Sequence, residues 1–270
     1  MKPQVTVVIP TYNRPEQLMH AVASVKRQQE VTFQIIIVDD ASDEDLGPAF
    51  KDDTSVTYIR NQTNKGGGYS RNRGLSLATG EYVNFLDDDD EFLDSKLQKQ
   101  IARFETSEVP NLGLVACHVR DLRSGEEIIV KNTHRGNVFK ESLSGYSVKL
   151  TPSMLFLTEA ARKTGGFDES LPASQEYDFV IRLSKHYGVD YVDEVLAQAN
   201  RSETQISLDF EKKKRAAEIL FRKFDKEYRS FGLLFWLKMQ IKLRVLKIRF
   251  WAGKRLGLWA YKLTLLGKGI

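Results

Sequence analysis

The amino-acid sequence predicts an α/β fold: an open, mostly parallel sheet flanked by helices, followed by a helical, basic and amphipathic C-terminal extension. Three observations carry that expectation. Short β-branched runs alternate with stretches of helical spacing through the first third of the chain. Three of those runs end in polar or acidic clusters, at "PTYNR" (10–14), "DDAS" (39–42) and "DDDD" (87–90). Of the 40 Lys and Arg, ten fall in residues 228–270, where there is no acid, leaving 30 against 36 Asp and Glu in the rest.

Taken in order, "QVTVVI" (4–9) and "QIIIV" (34–38) are apolar, β-branched and unbroken, as strands buried on both faces are. Between them "PEQLMHAVASVKRQQ" places Leu18, Val22 and Val25 at helical spacing, with Pro15 near the first turn. "SVTYIR" (55–60) reads as a third strand, "YSRNRGLSLATG" as a helix closed by Gly80, and "EYVNFL" (81–86) as a fourth strand. Further on, "LGLVACHV", "VKLTPSMLFLT" and "VDYVDEVLAQA" read as strands and "EYDFVIRLSKHY" as a helix. From about Leu208 the chain reads as helical to its end. No repeat or low-complexity linker interrupts the first 205 or so residues, which predicts one domain over 1–207 and an extension over 208–270.

A chain of 270 residues can bury a substantial core. Its one cysteine, Cys117, forms no intramolecular disulfide, and Lys2 leads directly into a strand rather than an apolar leader. Both point to the cytoplasm. The four histidines are scattered, so a zinc site of His and Cys ligands is unsupported.

Four consecutive aspartates repel one another by roughly 1 kcal/mol per close pair even when solvated, and something must offset that. Ligands of open α/β sheets bind at the carboxyl ends of the strands, where all three polar clusters are expected. Hard cations such as Mg²⁺ and Mn²⁺ take carboxylate and phosphate oxygens. In extended backbone Asp87 and Asp89 point to one side, with Asp88 and Asp90 turned away or holding the loop. "NKGGGYSRNRG" (64–74) supplies the matching half, since Gly66 to Gly68 allow close backbone approach and the following helix offers amides to an anion, with Arg71 and Arg73 in its first turn. There is no Walker pattern, and no G-x-G-x-x-G follows the first strand.

In order and spacing, "VVIPTYNR", "IIVDDAS", the N-x-G-x-x-x-S-R-N-x-G run leading to "ATGEYVNFLDDDD", and "GGFDESLPASQEYDFVIRL" resemble glycosyltransferase family 2 over residues 4–207. The resemblance implies the Rossmann-like glycosyltransferase A fold, with a nucleotide-sugar half at about 1–110 and an acceptor half at about 111–207. It implies a hexosyltransferase that moves a sugar from a nucleotide diphosphate sugar, usually UDP-linked, with inversion. By that resemblance Pro10, Thr11 and Tyr12 would line the nucleoside pocket and Asp40 would accept from uracil. Arg71 would contact the diphosphate and Asp88 would lie near the ribose, with Arg14, Gly66 and Asp87 completing the nucleotide-binding set. Asp87 and Asp89 form the family's D-x-D, with Asp89 the direct ligand of Mn²⁺ or Mg²⁺. The general base comes from an E-D-x-D-x-x-x-R helix start, here Gln175 to Arg182, which puts Glu176 at the base position with Asp178 as the alternative. "GGFDE" (165–169) would form part of the acceptor side. No histidine follows His186, so a third protein ligand from the "NRSETQIS" segment is doubtful.

The extension mixes Leu, Ile, Phe and all three tryptophans with Lys and Arg, without the eighteen or so apolar residues of a spanning helix. It reads as a helix on an anionic membrane surface through 230–270, though Lys247 and Lys254 fall outside the face shared by Lys238, Lys242 and Arg249. Packing on the body or homo-oligomerisation stays open. Nucleic acid does not suit so aliphatic a segment. Together these features imply a peripheral enzyme on the inner face of the cell membrane, acting on a glycan or lipid-linked glycan acceptor in bacterial surface polysaccharide synthesis. Two other classes remain. A nucleotidyltransferase would carry a glycine-rich basic loop after the first strand, where "PTYNRPEQ" stands; a catalytically silent scaffold would have lost the acids, which are present.

Overall fold

The computed structural model describes residues 2–123, 126–201 and 209–256. Two compact units are present, one within Met1–Glu169 and Phe179–Ser202, the other within Ser170–Asp178 and Glu203–Ile270.

The first unit is built on a sheet of nine strands: β1 (Val5–Thr11), β2 (Phe33–Asp39), β3 (Val56–Arg60), β4 (Tyr82–Phe85), β5 (Asp90–Phe92), β6 (Leu112–Arg123), β7 (Glu126–Val130), β8 (Leu155–Leu157) and β9 (Gly188–Arg201). Their order is β3-β2-β1-β4-β8-β6-β9-β5, with β7 paired to β6. The strands β3-β2-β1-β4 are mutually parallel, and β6 runs parallel to β9; β8, β5 and β7 pair antiparallel. In register Thr11 lies opposite Asp39, and Asp39 opposite Arg60. The polar ends of these strands therefore share one edge.

Side chains alternate across the sheet, and both faces are covered. On one face Val7, Ile9, Ile35 and Ile37 pack with Leu18, Val22 and Val25 of α1 (Pro15–Lys26) and Leu97 and Ile101 of α3 (Lys96–Thr106). On the other, Val8, Ile36, Val38, Val83 and Phe85 meet Leu75 of α2 (Gly67–Leu77), Ala160 of α5 (Thr158–Lys163) and Phe179 of α6 (Gln175–Ser184). A short helix α4 (Phe139–Ser144) adds Leu143 to the buried set. Phe179 sits 5.0 Å from Phe156 and 4.8 Å from Phe167, and Phe85 meets Phe167 edge-on at 4.8 Å, which fixes this part of α6 on the sheet.

Three local expectations change. The helix after the glycine run begins at Gly67 and ends at Leu77. Gly80 does not close it; a Cβ there would lie 2.6 Å from the Thr6 backbone nitrogen, so Gly80 is where the chain passes tightly against β1. "VKLTPSMLFLT" is strand only at β8, because Pro152 sits in a 3₁₀ turn over Thr151–Ser153.

In the second unit Ser170–Asp178 joins α7 (Phe210–Lys223), α8 (Asp225–Ser230) and α9 (Leu233–Leu256). Asp209 caps α7 by accepting from the Lys212 amide at 3.0 Å. Trp236 Nε1 donates to Asp225 at 2.7 Å while Arg229 lies 4.4 Å above the indole, tying α8 to α9. The expected helical extension is thus three helices as far as 256; residues 257–270 lie outside the described residues. Among the described residues no helix is long and apolar enough to cross a membrane.

Candidate active site

The carboxyl ends of β1, β2 and β4 are laced together by their own polar residues. After β1, Asn13 donates its amide to Ser42 Oγ at 2.9 Å, and its side chain exchanges hydrogen bonds with Asp43. After β2, Asp39 is fully buried and accepts from Ser42 Oγ and Tyr58 OH, each at 2.6 Å. Asn13 and Ala41 both have positive φ, 54° and 67°. For Ala41 that is a strained conformation, held by the bonds on either side of it.

Asp40 is buried and takes three donors: Asn61 Nδ2 at 2.7 Å, the Lys65 amide at 2.9 Å and the Gly66 amide at 2.7 Å. It clasps the loop that leads into α2. Each named residue of the run from Gly66 to Gly74 then has a physical reason. Gly66 caps α2 and gives its amide to Asp40. Ser70 accepts from Asn61 at 3.1 Å. Arg71 pairs with Asp87 and lies 5.5 Å from the Phe167 ring. Asn72 brackets Phe167, accepting from its amide at 2.8 Å and donating to its carbonyl at 2.9 Å. A Cβ on Gly74 would fall 2.2 Å from a Val8 methyl, so only glycine lets α2 lie this close to β1.

The four aspartates form a turn rather than an extended run, with the Asp90 amide bonded to the Asp87 carbonyl at 3.0 Å. Strict alternation is lost. Asp87 faces Arg71, while Asp88 and Asp89 share Arg14 Nη1, at 3.0 and 3.1 Å. Asp88 also accepts from Thr11 Oγ1 at 2.9 Å. Asp90 accepts the Asn200 amide at 3.2 Å, and the Asn200 side chain donates to the Asp89 carbonyl at 2.9 Å. Asp88 and Asp90 hold the loop, as expected. The repulsion among four carboxylates is offset by two guanidinium groups and by β9.

These charges move one another's titration. Burial pushes the Asp88 carboxyl from 3.8 up to about 6, against the pull of Arg14 and Thr11. Burial works to lower Arg14, but Asp88 and Asp89 outweigh it and its pKa is raised. Below pH 3.8 Asp88 is protonated folded or unfolded. Between 3.8 and 6 only the folded chain keeps the proton, so this group's contribution to stability falls as pH rises through that window. Asp88→Asn removes that slope. In urea unfolding between pH 4 and pH 7.5 the variant should gain on the wild type by up to about 3 kcal/mol; a constant difference would contradict the assignment.

Does the set suit a divalent cation? Among the described residues no three His, Cys, Asp or Glu side chains form a metal-holding group. Asp87 and Asp89 are half-buried carboxylates, each paired with a different arginine. That fits a hard ion that arrives with phosphates and keeps its waters, and not a metal held by the protein alone.

Thr11, Arg14, Asp40, Gly66, Arg71 and Asp87 to Asp89 therefore gather in the first unit. Pro10 is half-buried in β1 and Tyr12 is 45% exposed beyond its end. Glu176 and Asp178 open α6 within the second unit. Glu176 is half-buried. Asp178 is fully buried, and Lys223 Nζ lies 2.7 Å from its carboxylate. Arg182, six residues after Glu176, donates to the carbonyls of Thr164 and Gly166 at 2.5 Å each, and so supports the "GGFDE" turn. Residues 202–207 of "NRSETQIS" lie outside the described residues. The site residues expected from the sequence do not include Asn61, Asn72 or Asn200. For Asn72 the signal is its place in the motif and for Asn200 its place at the head of "NRSETQIS"; for Asn61 there is none.

The family model for glycosyl transferase family 2 matches residues 6–146. An uncharacterized glycosyltransferase of Methanocaldococcus jannaschii is 32% identical over 206 residues, covering 72% of this chain and 70% of its own length. WcaA of Escherichia coli, named as a colanic acid biosynthesis glycosyl transferase, is 30% identical over 76% of each chain. Among solved structures, Staphylococcus aureus TarS 1–349 in complex with UDP-GlcNAc superimposes with a TM-score of 0.63 at 16% identity, over 98% of this chain and 90% of that one. The mannosyltransferase PcManGT from Pyrobaculum calidifontis, in complex with GDP-Man and Mn²⁺, gives 0.65 at 16% identity, over 98% and 74%. The likeness to these structures shows a fold like that of glycosyltransferase A enzymes. With the matched family model and the motifs now placed on the strand ends, the chain belongs to glycosyl transferase family 2.

Proposed function

We propose that this glycosyltransferase moves a hexose from a UDP-sugar, with inversion, to a hydroxyl of a glycan carried on a lipid, in bacterial surface polysaccharide synthesis. The observation that carries the donor half is the meeting of Asp87, Asp88 and Asp89 with Arg14 and Arg71 at the carboxyl edge of four parallel strands. Paired carboxylates beside guanidinium groups suit a nucleoside diphosphate: the arginines attract the phosphates, and the acids accept a ribose hydroxyl or a cation. The matched TarS structure carries UDP-GlcNAc and the E. coli relative is named for colanic acid, which supports this donor and this pathway class.

Asp87 and Asp89 would hold Mn²⁺ or Mg²⁺, and the ion would supply charge neutralisation for the departing diphosphate. The remaining work falls to side chains. Arg71 orients the diphosphate, and Thr11 with Arg14 keeps the aspartate turn in place. Glu176 is assigned the proton of the attacking acceptor hydroxyl. Asp178, buried against Lys223, is left a structural role. The test is release of UDP from a panel of UDP-sugars by the full chain. Turnover that disappears in Asp89→Ala supports the reading. Turnover of GDP-sugars alone, the donor class seen with PcManGT, would replace UDP and leave the reaction class standing.

A further inference from the structure

The helix α9 has two unlike faces. One packs on α7. Met239 and Phe250 are buried there, and Gly253 lies against the Phe210 ring, which a Cβ would approach to 2.8 Å. On that side Lys247 pairs with Glu218 at 2.8 Å and Lys254 with Glu211 at 3.0 Å. These two lysines fall outside the outer face, and their partners explain why: both reach across to carboxylates of α7.

The other face carries Leu234, Leu237, Ile241, Val245, Ile248 and Trp251, spaced by three or four residues and all exposed, Leu234 at 84% and Ile248 at 63%. At helical spacing they form one stripe along the helix. Lys238, Lys242 and Arg249 border one side of it; Arg244 and Arg255 fall within it, on stems long enough to lift their charges out of an apolar layer. A contiguous apolar stripe of this kind marks an interaction surface rather than scattered exposure.

We propose that the outer face of α9 is a docking surface for an anionic lipid bilayer, with the stripe from Leu234 to Trp251 buried among the lipid headgroups and the flanking Lys and Arg on lipid phosphates. Charge selects this occupant. The described part of that face presents Lys238, Lys242, Arg244, Arg249 and Arg255 and no acid, so a second copy of the same face would meet it with like charge, whereas an anionic surface is complementary. The helix lies on the membrane, since no described helix is apolar enough to cross one. Its use, bringing a lipid-linked acceptor to the enzyme, rests on the function proposed above; the docking itself does not.

The test is co-sedimentation of the full chain with phosphatidylcholine vesicles, with and without phosphatidylglycerol, at low and high salt. The wild type should bind the anionic vesicles, and more weakly at high salt. Ile241→Glu with Ile248→Glu should weaken that binding at least tenfold, and Lys238→Gln with Lys242→Gln and Arg249→Gln should weaken it and reduce its salt dependence. Both variants should keep the wild-type melting profile and UDP affinity, so failure of the nucleotide reading and failure of this one are read separately. A wild type that stays in the supernatant overturns the proposal. So does a stripe variant that binds as tightly as wild type, or one that instead turns a dimer into a monomer.

Discussion

Glu176→Gln is expected to lower kcat by about a thousandfold, within the range general base catalysis supplies, while leaving the affinity for UDP unchanged. The amide keeps the size of the side chain and removes only its ability to take a proton. An inverting displacement has one proton to move, from the acceptor hydroxyl, and no covalent intermediate to share the cost. Glu176→Asp keeps the carboxylate but shortens its reach by one methylene, and should recover part of the rate. Steady-state kinetics with a saturating UDP-sugar and acceptor give the measurement. A Glu176→Gln enzyme within tenfold of wild type would remove Glu176 from the base position.

Asp178→Asn should act on stability instead. Asp178 is fully buried and its carboxylate lies 2.7 Å from Lys223, whose side chain is 29% exposed. Breaking a buried ion pair from one side costs about 3–5 kcal/mol; partial exposure of the lysine lets water soften that, so about 2–3 kcal/mol is expected. Adding Lys223→Met should recover part of the loss, because it removes the charge left behind. Urea unfolding of the two single variants and the double variant reads this directly. If Asp178→Asn unfolds like wild type yet loses turnover, Asp178 is the base and Glu176 is not.

The two variants also show what sequence could and could not settle. Glu176 and Asp178 are near-equivalent in the motif, and only the burial of Asp178 against a lysine of α7, far along the chain, separates them. The same holds at the donor site. That the strand ends would converge was legible, because β1 and β2 are unbroken apolar runs bounded by polar turns. That Arg14 would bridge Asp88 and Asp89 was not, since a long-range ion pair leaves no local pattern. The buried polar residues of α3 leave no local pattern either. The buried face of this helix includes Lys96 and Gln100, both fully inaccessible. Lys96 bonds to Gln100 at 2.7 Å and sits 4.1 Å from the Phe92 ring, and burial pushes its pKa down to about 8. Leu97, Ile101 and Phe104 do stand at helical spacing in α3, so the apolar pattern of that helix is legible and only its buried polar residues are not. Short β5 carries no alternation to read in three residues, and β8 reads too long, across the turn at Pro152.

By this reading the aspartate turn is a metal-assisted nucleotide site. Calorimetric titration of UDP into the full chain, with Mn²⁺ and with EDTA, in wild type and in Asp89→Ala, tests it most directly. Micromolar binding that needs both the ion and Asp89 is the predicted result. UDP binding that is indifferent to the ion and to Asp89, or none with UDP, GDP or TDP in either condition, would contradict it.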